Sequence, residues 1–398
     1  MSPRQNTRVG PLASRPDSAP ALDVDGLLDD RRTEIIVCCG SGGVGKTTTS
    51  AALALRAAER GRKVVVLTID PARRLAQSMG IEALDNVPRP VPGVGRESDE
   101  SGSLDAMMLD MKRTFDEVVE SQASPEKAAQ ILANPFYVAL SSSFAGTQEY
   151  MAMEKLGQLH RDARRTGRWD LIVVDTPPSR SALDFLDAPE RLSSFLDGRF
   201  IRLMLAPARG PARMMSAGLG VVTNAMTKLI GAQVLRDMKT FVAAFDTLFG
   251  GFRQRAQKTY QLLQAQETAF LVVAAPEQDA LREAAYFVER LEGERMPLAG
   301  LVVNRATQPA TVGLSGEQAA AGAQRLEDRD GTTDRAGVVT AGLLRLHAAR
   351  LAVVEREQRL RQRFTAAHPD VATAVVPALA TDVHDLEGLR LVGHLLAG

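Results

Sequence analysis

The sequence predicts an α/β protein: a doubly wound, mostly parallel sheet carrying a helical insertion subdomain. Three observations predict it. An apolar run at Glu34–Cys39 leads through a glycine-rich loop into a helix-forming stretch. A second apolar run, opened by Trp169-Asp170, ends on Asp175. Other short β-branched runs alternate with longer helical patterns along the chain, the alternation from which parallel sheets are built.

Met1 to Arg32 is rich in Pro, Ser, Asp and Arg and has no periodicity, so residues 1–32 read as a disordered arm with room for a short helix near Leu27. Glu34 to Ser50 then reads E-I-I-V-C-C-G-S-G-G-V-G-K-T-T-T-S. Gly40 to Thr47 matches G-x-x-x-x-G-K-[ST], and the strand before it and the helix formers Ala51 to Leu55 after it give the context that a phosphate-binding loop needs. Gly40, Gly42, Gly43 and Gly45 let the backbone turn tightly and aim several N–H groups at one point, where a helix N-terminus adds positive charge. Lys46 reaches β- and γ-phosphates from such a loop, and the Thr47 hydroxyl suits Mg²⁺. A chance glycine turn would lack both flanking elements.

Lys63 to Ile69 is a second buried strand, stopped at Asp70-Pro71. After a polar loop, Leu104 to Leu109 is a third. Residues from about 112 to 160 read as helical, with breaks near Pro125, Pro135 and Gly146. The strand ending on Asp175 places a carboxylate at the carboxyl end of a parallel strand, where such sheets bind ligands, so Asp175 is a candidate for the Mg²⁺ shell, although an aspartate here also forms turns. Residues 195–264 are helical by composition, dense in Met and Phe, and broken at Pro207, Gly210, Pro211, Gly218 and Gly220. This stretch reads either as a subdomain burying its own core or as a groove for a hydrophobic client, with Met214, Met215 and Met226 as candidate contacts.

Thr268 to Ala274 and Leu298 to Val303 are two further strands, joined by a helix over about Asp279 to Leu291, and Asn304-Arg305 follows the second. Thr307 to Ala336 reads as a mobile insertion. Val338 to His368 is a charged helix with Leu346, Ala349, Val353, Leu360 and Phe364 on one stripe. Thr373 to Val376 is a last strand and Asp385 to Leu396 a closing helix.

Lys and Arg together number 48, as do Asp and Glu, so the formal net charge is zero and gives no pull toward nucleic acid or anionic lipid. No run looks apolar over the roughly 18 residues that a membrane span needs, and the N-terminus lacks the apolar core of a secretory signal, so a cytoplasmic protein is expected. The only cysteines, Cys38 and Cys39, are strand neighbours facing opposite ways, ill-placed to pair and expected to be buried spectators.

The motifs carry a resemblance. G-S-G-G-V-G-K-T-T is similar to the deviant loop G-K-G-G-V-G-K-[ST]-[ST], and Asp70-Pro71-Ala72-Arg73 resembles the switch I motif D-P-A-H of the arsenical-pump-driving and tail-anchored-protein-targeting ATPases. Asp175-Thr176-Pro177-Pro178-Ser179-Arg180-Ser181 resembles their switch II, D-T-A-P-T-G-H-T, and Asn304 sits where they carry an adenine-reading asparagine. From Glu34 to Leu396 the chain resembles a half-length bacterial member of the anion-transporting ATPase family.

That resemblance implies a P-loop NTPase core over 33–398 and Mg²⁺-dependent ATP hydrolysis. It also implies two nucleotides sandwiched between two subunits, as a homodimer or with a related ATPase subunit. It assigns Gly42, Gly43, Val44, Gly45, Lys46, Thr47 and Thr48 to phosphates and Mg²⁺. Asp70 would position the attacking water, Asp175 would serve the metal shell, Asn304 would read adenine, and the backbone after Pro377 would line the base. A hydrophobic client or membrane protein is the implied partner. Ser41, however, replaces the lysine that in the family reaches the partner's phosphates; Arg73 or Arg180 could cross instead, or a partner subunit could keep the lysine. No C-x-x-C and no cysteine trio occur, so metalloids are not expected. Asp70 favours an active ATPase; Ser41 favours a nucleotide-binding regulatory subunit of a heteromeric ATPase with weak hydrolysis.

Overall fold

Alternation along the strands decides the layering. The structure, a computed structural model, describes residues 19–70, 74–95, 102–135, 137–138, 141, 147–177, 251, 254–309, 313–330 and 335–398. β1 (Ile35–Cys39), β2 (Lys63–Thr68), β3 (Arg89–Pro90), β4 (Ser103–Met108), β5 (Leu171–Asp175), β6 (Thr268–Ala274), β7 (Leu298–Ala306) and β8 (Thr373–Pro377) form one sheet in the order β3-β4-β2-β5-β1-β6-β7-β8. All neighbours are parallel except the short edge strand β3. β1, β5 and β6 are buried throughout, as expected for strands covered on both faces.

Ile35, Val37 and Cys39 point into one core with Phe115, Met153 and Phe287, whereas Ile36 and Cys38 point into the other with Leu53, Leu389 and Val392. The first core is closed by α4 (Met111–Gln122), α5 (Pro125–Leu132), α6 (Thr147–Thr166) and α7 (Gln278–Gly293). The second is closed by α1 (Val24–Asp29), α2 (Lys46–Glu59), α3 (Arg74–Ser78) and α10 (Leu386–Ala397). The doubly wound α/β fold read from the sequence is the fold observed. Register then sets the site: Asp175 of β5 lies opposite both Cys38 of β1 and Thr68 of β2, so three strand ends meet at one level.

Two stretches that look irregular in sequence are partly helical. The arm expected over 1–32 is structured from Pro20, whose carbonyl accepts from Thr373 N at 2.8 Å. Asp23 caps α1, accepting from Gly26 N at 2.8 Å, and Val24 and Leu28 are buried four residues apart. The region expected as a mobile insertion, 307–336, contains α8 (Gly316–Asp330), with Ala319 and Ala323 buried where α8 packs on α9 (Arg335–Ala367). Its start is a reciprocal cap: Ser315 Oγ accepts from Gln318 N, and Gln318 Oε1 accepts from Ser315 N, both at 3.1 Å.

α9 runs unbroken for 33 residues. Phe364 is buried and Leu360 packs on the core, but Leu346, expected on the same stripe, is 66% exposed. By length and composition alone α9 could cross a bilayer, although Arg345 and Arg350 interrupt its apolar run. Most of the Met- and Phe-rich stretch, with Met214, Met215 and Met226, lies outside the described residues; 254–264 is helical.

Candidate nucleotide site

The loop after β1 is shaped by contacts that only glycine permits. A β-carbon on Gly40 would stand 2.1 Å from Val273 O, and one on Gly45 would stand 2.2 Å from Asn304 Nδ2. Gly45 also has a φ of 97° and begins α2 without a side-chain cap, so the first-turn N–H groups of α2 remain available to an anion. Lys46 folds back over the loop, its Nζ donating to Gly40 O at 2.9 Å and Ser41 O at 2.7 Å. Burial holds its ammonium pKa below the ordinary lysine value.

Asp175 is wholly buried at the end of β5. Its Oδ2 accepts from Thr47 Oγ1 at 2.8 Å and Thr68 Oγ1 at 2.9 Å, while its Oδ1 has no partner among the described residues. Burial pushes this carboxyl up to about 6, against the pull of the two hydroxyls and of Lys46. A buried carboxylate oxygen without a donor, beside a threonine hydroxyl at a helix start, is a hard-oxygen set that suits Mg²⁺ and its bound water. Among the described residues, no three His, Cys, Asp or Glu side chains gather to hold a metal by themselves. The fit is therefore to a cation that keeps most of its ligands from phosphate and water.

A cavity of about 620 Å³ opens over this centre, lined by Gly43, Gly45, Lys46, Thr47, Thr48 and Asp70 on one side. Asn304, packed against the loop, and Pro377 also line it. Most of the residues singled out in the sequence are thus brought together. Gly42 and Val44 are exceptions: they line a neighbouring cleft of about 400 Å³, with Ser41, and the Val44 side chain is buried. Asp175 sits behind Thr47 rather than on the cavity wall. Pro71, Ala72 and Arg73, and the switch II residues Pro178, Ser179, Arg180 and Ser181, lie outside the described residues.

Asn304 is buried and already engaged. Its Nδ2 donates to Val44 O at 2.8 Å and its Oδ1 accepts from Arg305 N at 3.0 Å. Those bonds fix which end of the amide is which and leave one N–H and one lone pair in hand. Sequence reasoning missed Thr68, the second hydroxyl on Asp175, and the bond from Arg305 Nη1 to Gly43 O at 2.9 Å. Thr68 carried a signal, since it lies two residues before Asp70. Neither thiol lines the cavity: both are buried in opposite cores, with Cys38 pushed up to about 12 by burial and Cys39 pushed up as well.

Residues 33–321 match the family model described as Anion-transporting ATPase. The chain is similar to the ATPase GET3 of Malassezia globosa, 30% identical over 183 residues, which are 45% of this chain and 50% of that protein. It is 26% identical over 279 residues to an ATPase ASNA1 homolog of Cryptosporidium parvum, covering 70% of this chain and 67% of the relative. To an arsenical pump-driving ATPase of Escherichia coli it is 29% identical over 166 residues, 40% of this chain but 26% of the pump protein. The chain therefore spans half the matched GET3 and about a quarter of the pump ATPase.

Proposed function

The chain belongs to the anion-transporting ATPase family, and from that premise we propose that it binds Mg·ATP and hydrolyses it to ADP and phosphate. We further propose that it works in the cytoplasm as one half of a two-subunit ATPase, either with a second copy or with a related subunit. Its nucleotide state would control binding of a hydrophobic client or a membrane partner. The observation that carries the catalytic part is the Thr47–Asp175–Thr68 cluster, with one buried carboxylate oxygen unpartnered beneath an uncapped helix start.

Each side chain then has a task. The N–H groups of the glycine loop and of Thr47 and Thr48 bind phosphate oxygens, and Lys46 exchanges two carbonyl partners for β- and γ-phosphate. Thr47 and, through water, Asp175 would hold Mg²⁺, which would supply positive charge to offset that of the phosphates. Asp70 accepts a hydrogen bond from the attacking water and orients it. Asn304 offers its remaining N–H to adenine N7 and its remaining lone pair to the adenine amino group; guanine would set a carbonyl against that lone pair. Pro377 and the backbone after it line the base.

Ser41 favours a second reading, a regulatory subunit with weak hydrolysis. It brings no charge to a cleft whose wall includes Glu277 and Asp279, a setting suited to receiving a partner's cation. Single-turnover hydrolysis by the isolated chain and by Asp70→Asn tests the first reading. Asp70→Asn should keep ATP affinity and lose turnover by about a hundredfold or more. Normal turnover in Asp70→Asn removes Asp70 from the mechanism.

A further inference from the structure

Two consecutive residues at the end of β7 grip two consecutive carbonyls of the phosphate loop: Asn304 holds Val44 O and Arg305 holds Gly43 O. Arg305 does so from a left-handed backbone, φ 61°, which a residue with a β-carbon adopts against its preference. Its side chain is exposed and borders both the nucleotide cavity and the cleft beside Ser41. Among the described residues, Lys46 and Arg305 are the two cations bonded to the loop, and one of the loop residues lining the cleft is neutral Ser41.

A triphosphate brings more negative charge than one lysine and Mg²⁺ offset, and more gathers on the terminal oxygens during transfer. A single carbonyl bond facing water is a weak anchor for a guanidinium with five donors. A phosphate offers two parallel, charge-assisted bonds instead. Resting on the ATPase reading above, we propose that Arg305 is a catalytic residue acting within its own chain. It leaves Gly43 O and places its guanidinium on the terminal phosphate, supplying the positive charge that Ser41 does not. In the step it serves, the water oxygen bonds to the γ-phosphorus, and the bond to the β–γ bridging oxygen breaks with its electron pair going to ADP. The water's protons end on phosphate and solvent. Arg305 gains and loses no proton.

The test uses the full chain with Arg305→Ala, Arg305→Gln and Arg305→Lys. Affinities for ADP and for the slowly hydrolysed analogue ATPγS are measured by calorimetry, alongside kcat and KM for ATP. Arg305→Ala and Arg305→Gln should lower kcat by about a hundredfold or more and weaken ATPγS, leaving ADP affinity within about a factor of two. Arg305→Lys should keep part of the rate. Adding Ser41→Lys to Arg305→Ala should restore turnover. Unchanged ADP affinity in the two neutral variants separates lost charge from lost loop positioning. Wild-type kcat in Arg305→Ala or Arg305→Gln, or equal weakening of ADP and ATPγS, would overturn the proposal. Lys46→Ala reports on the ATPase reading separately: undiminished nucleotide affinity there sinks that reading whatever Arg305 does.

Discussion

Asp175 shows what a binding site asks of a single residue. Its carboxyl is buried, pushed up to about 6, and left with one oxygen unpartnered. Because the folded value lies above the model-peptide 3.8, the folded chain binds more protons than the unfolded chain between those values. Stability from this group is therefore fully present below about 4 and is lost as pH rises through about 6. The loss is on the order of 3 kcal/mol at neutral pH. Asp175→Asn carries no charge at any pH. The nucleotide-free variant should melt several degrees higher than the native chain at pH 8, and close to it at pH 4. Mg·ATP should raise the melting point of the native chain far more than that of the variant. A pH-independent difference between the two would mean that the buried charge is not the cause. The phosphate loop was legible in the sequence because its chemistry is local: glycines, Lys46 and Thr47 within one turn of chain. The grip of Asn304 on Val44 was not, since 260 residues separate the two and only the β1-β6-β7 order brings them together.

At the scale of elements, the least legible parts were those held by long-range polar contacts rather than by apolar periodicity. α1, expected near Leu27 and found there, gives no sign in its polar flanking sequence of what holds it. It is held by Arg62, only 1% exposed at the turn between α2 and β2. Arg62 Nη1 donates to Leu28 O at 3.0 Å and Asp30 O at 3.2 Å, Nη2 to Thr33 O and Asp170 O at 2.7 Å, and Nε to Asp170 Oδ1 at 2.7 Å. No other side chain presents that many donors from a fixed plane. Arg62→Met fills much of the volume but strands several buried carbonyls. The expected loss is about 3 kcal/mol or more, read from the denaturant midpoint. Arg62→Lys should rescue little of it. Proteolysis within residues 19–32 should accelerate in both variants, and an unchanged cleavage rate would show that α1 is held without Arg62, by Val24, Leu28 and the Arg56–Asp25 pair. α8 is the opposite case: its Ser315–Gln318 cap is written locally as S-G-E-Q, but the small, polar and glycine residues around it share the composition of a loop.

For the whole molecule, the position of the two thiols decides which chemistry the fold permits. Among the described residues β1 is the fifth of eight strands across the sheet, flanked by β5 and β6 and covered on both faces. Cys38 therefore opens into the core under α2 and α10, and Cys39 into the core under α7. A soft trivalent metalloid needs several thiolates converging on one point. Here the sheet itself stands between the sulfurs, and burial keeps both protonated. Bringing them together requires taking β1 out of the sheet, which is global unfolding. Two outcomes should follow in the native protein. Arsenite or antimonite should leave the ATP hydrolysis rate unchanged, although the family and one of its pump-driving relatives are named for anion and arsenical transport. A thiol reagent should label both cysteines no faster than the chain unfolds, a rate measured independently by denaturant jump. Labelling that outruns unfolding would reveal a local opening of the sheet centre. Metalloid stimulation lost on changing Cys38→Ala and Cys39→Ala together would place a soft-metal site where the two-faced sheet forbids one.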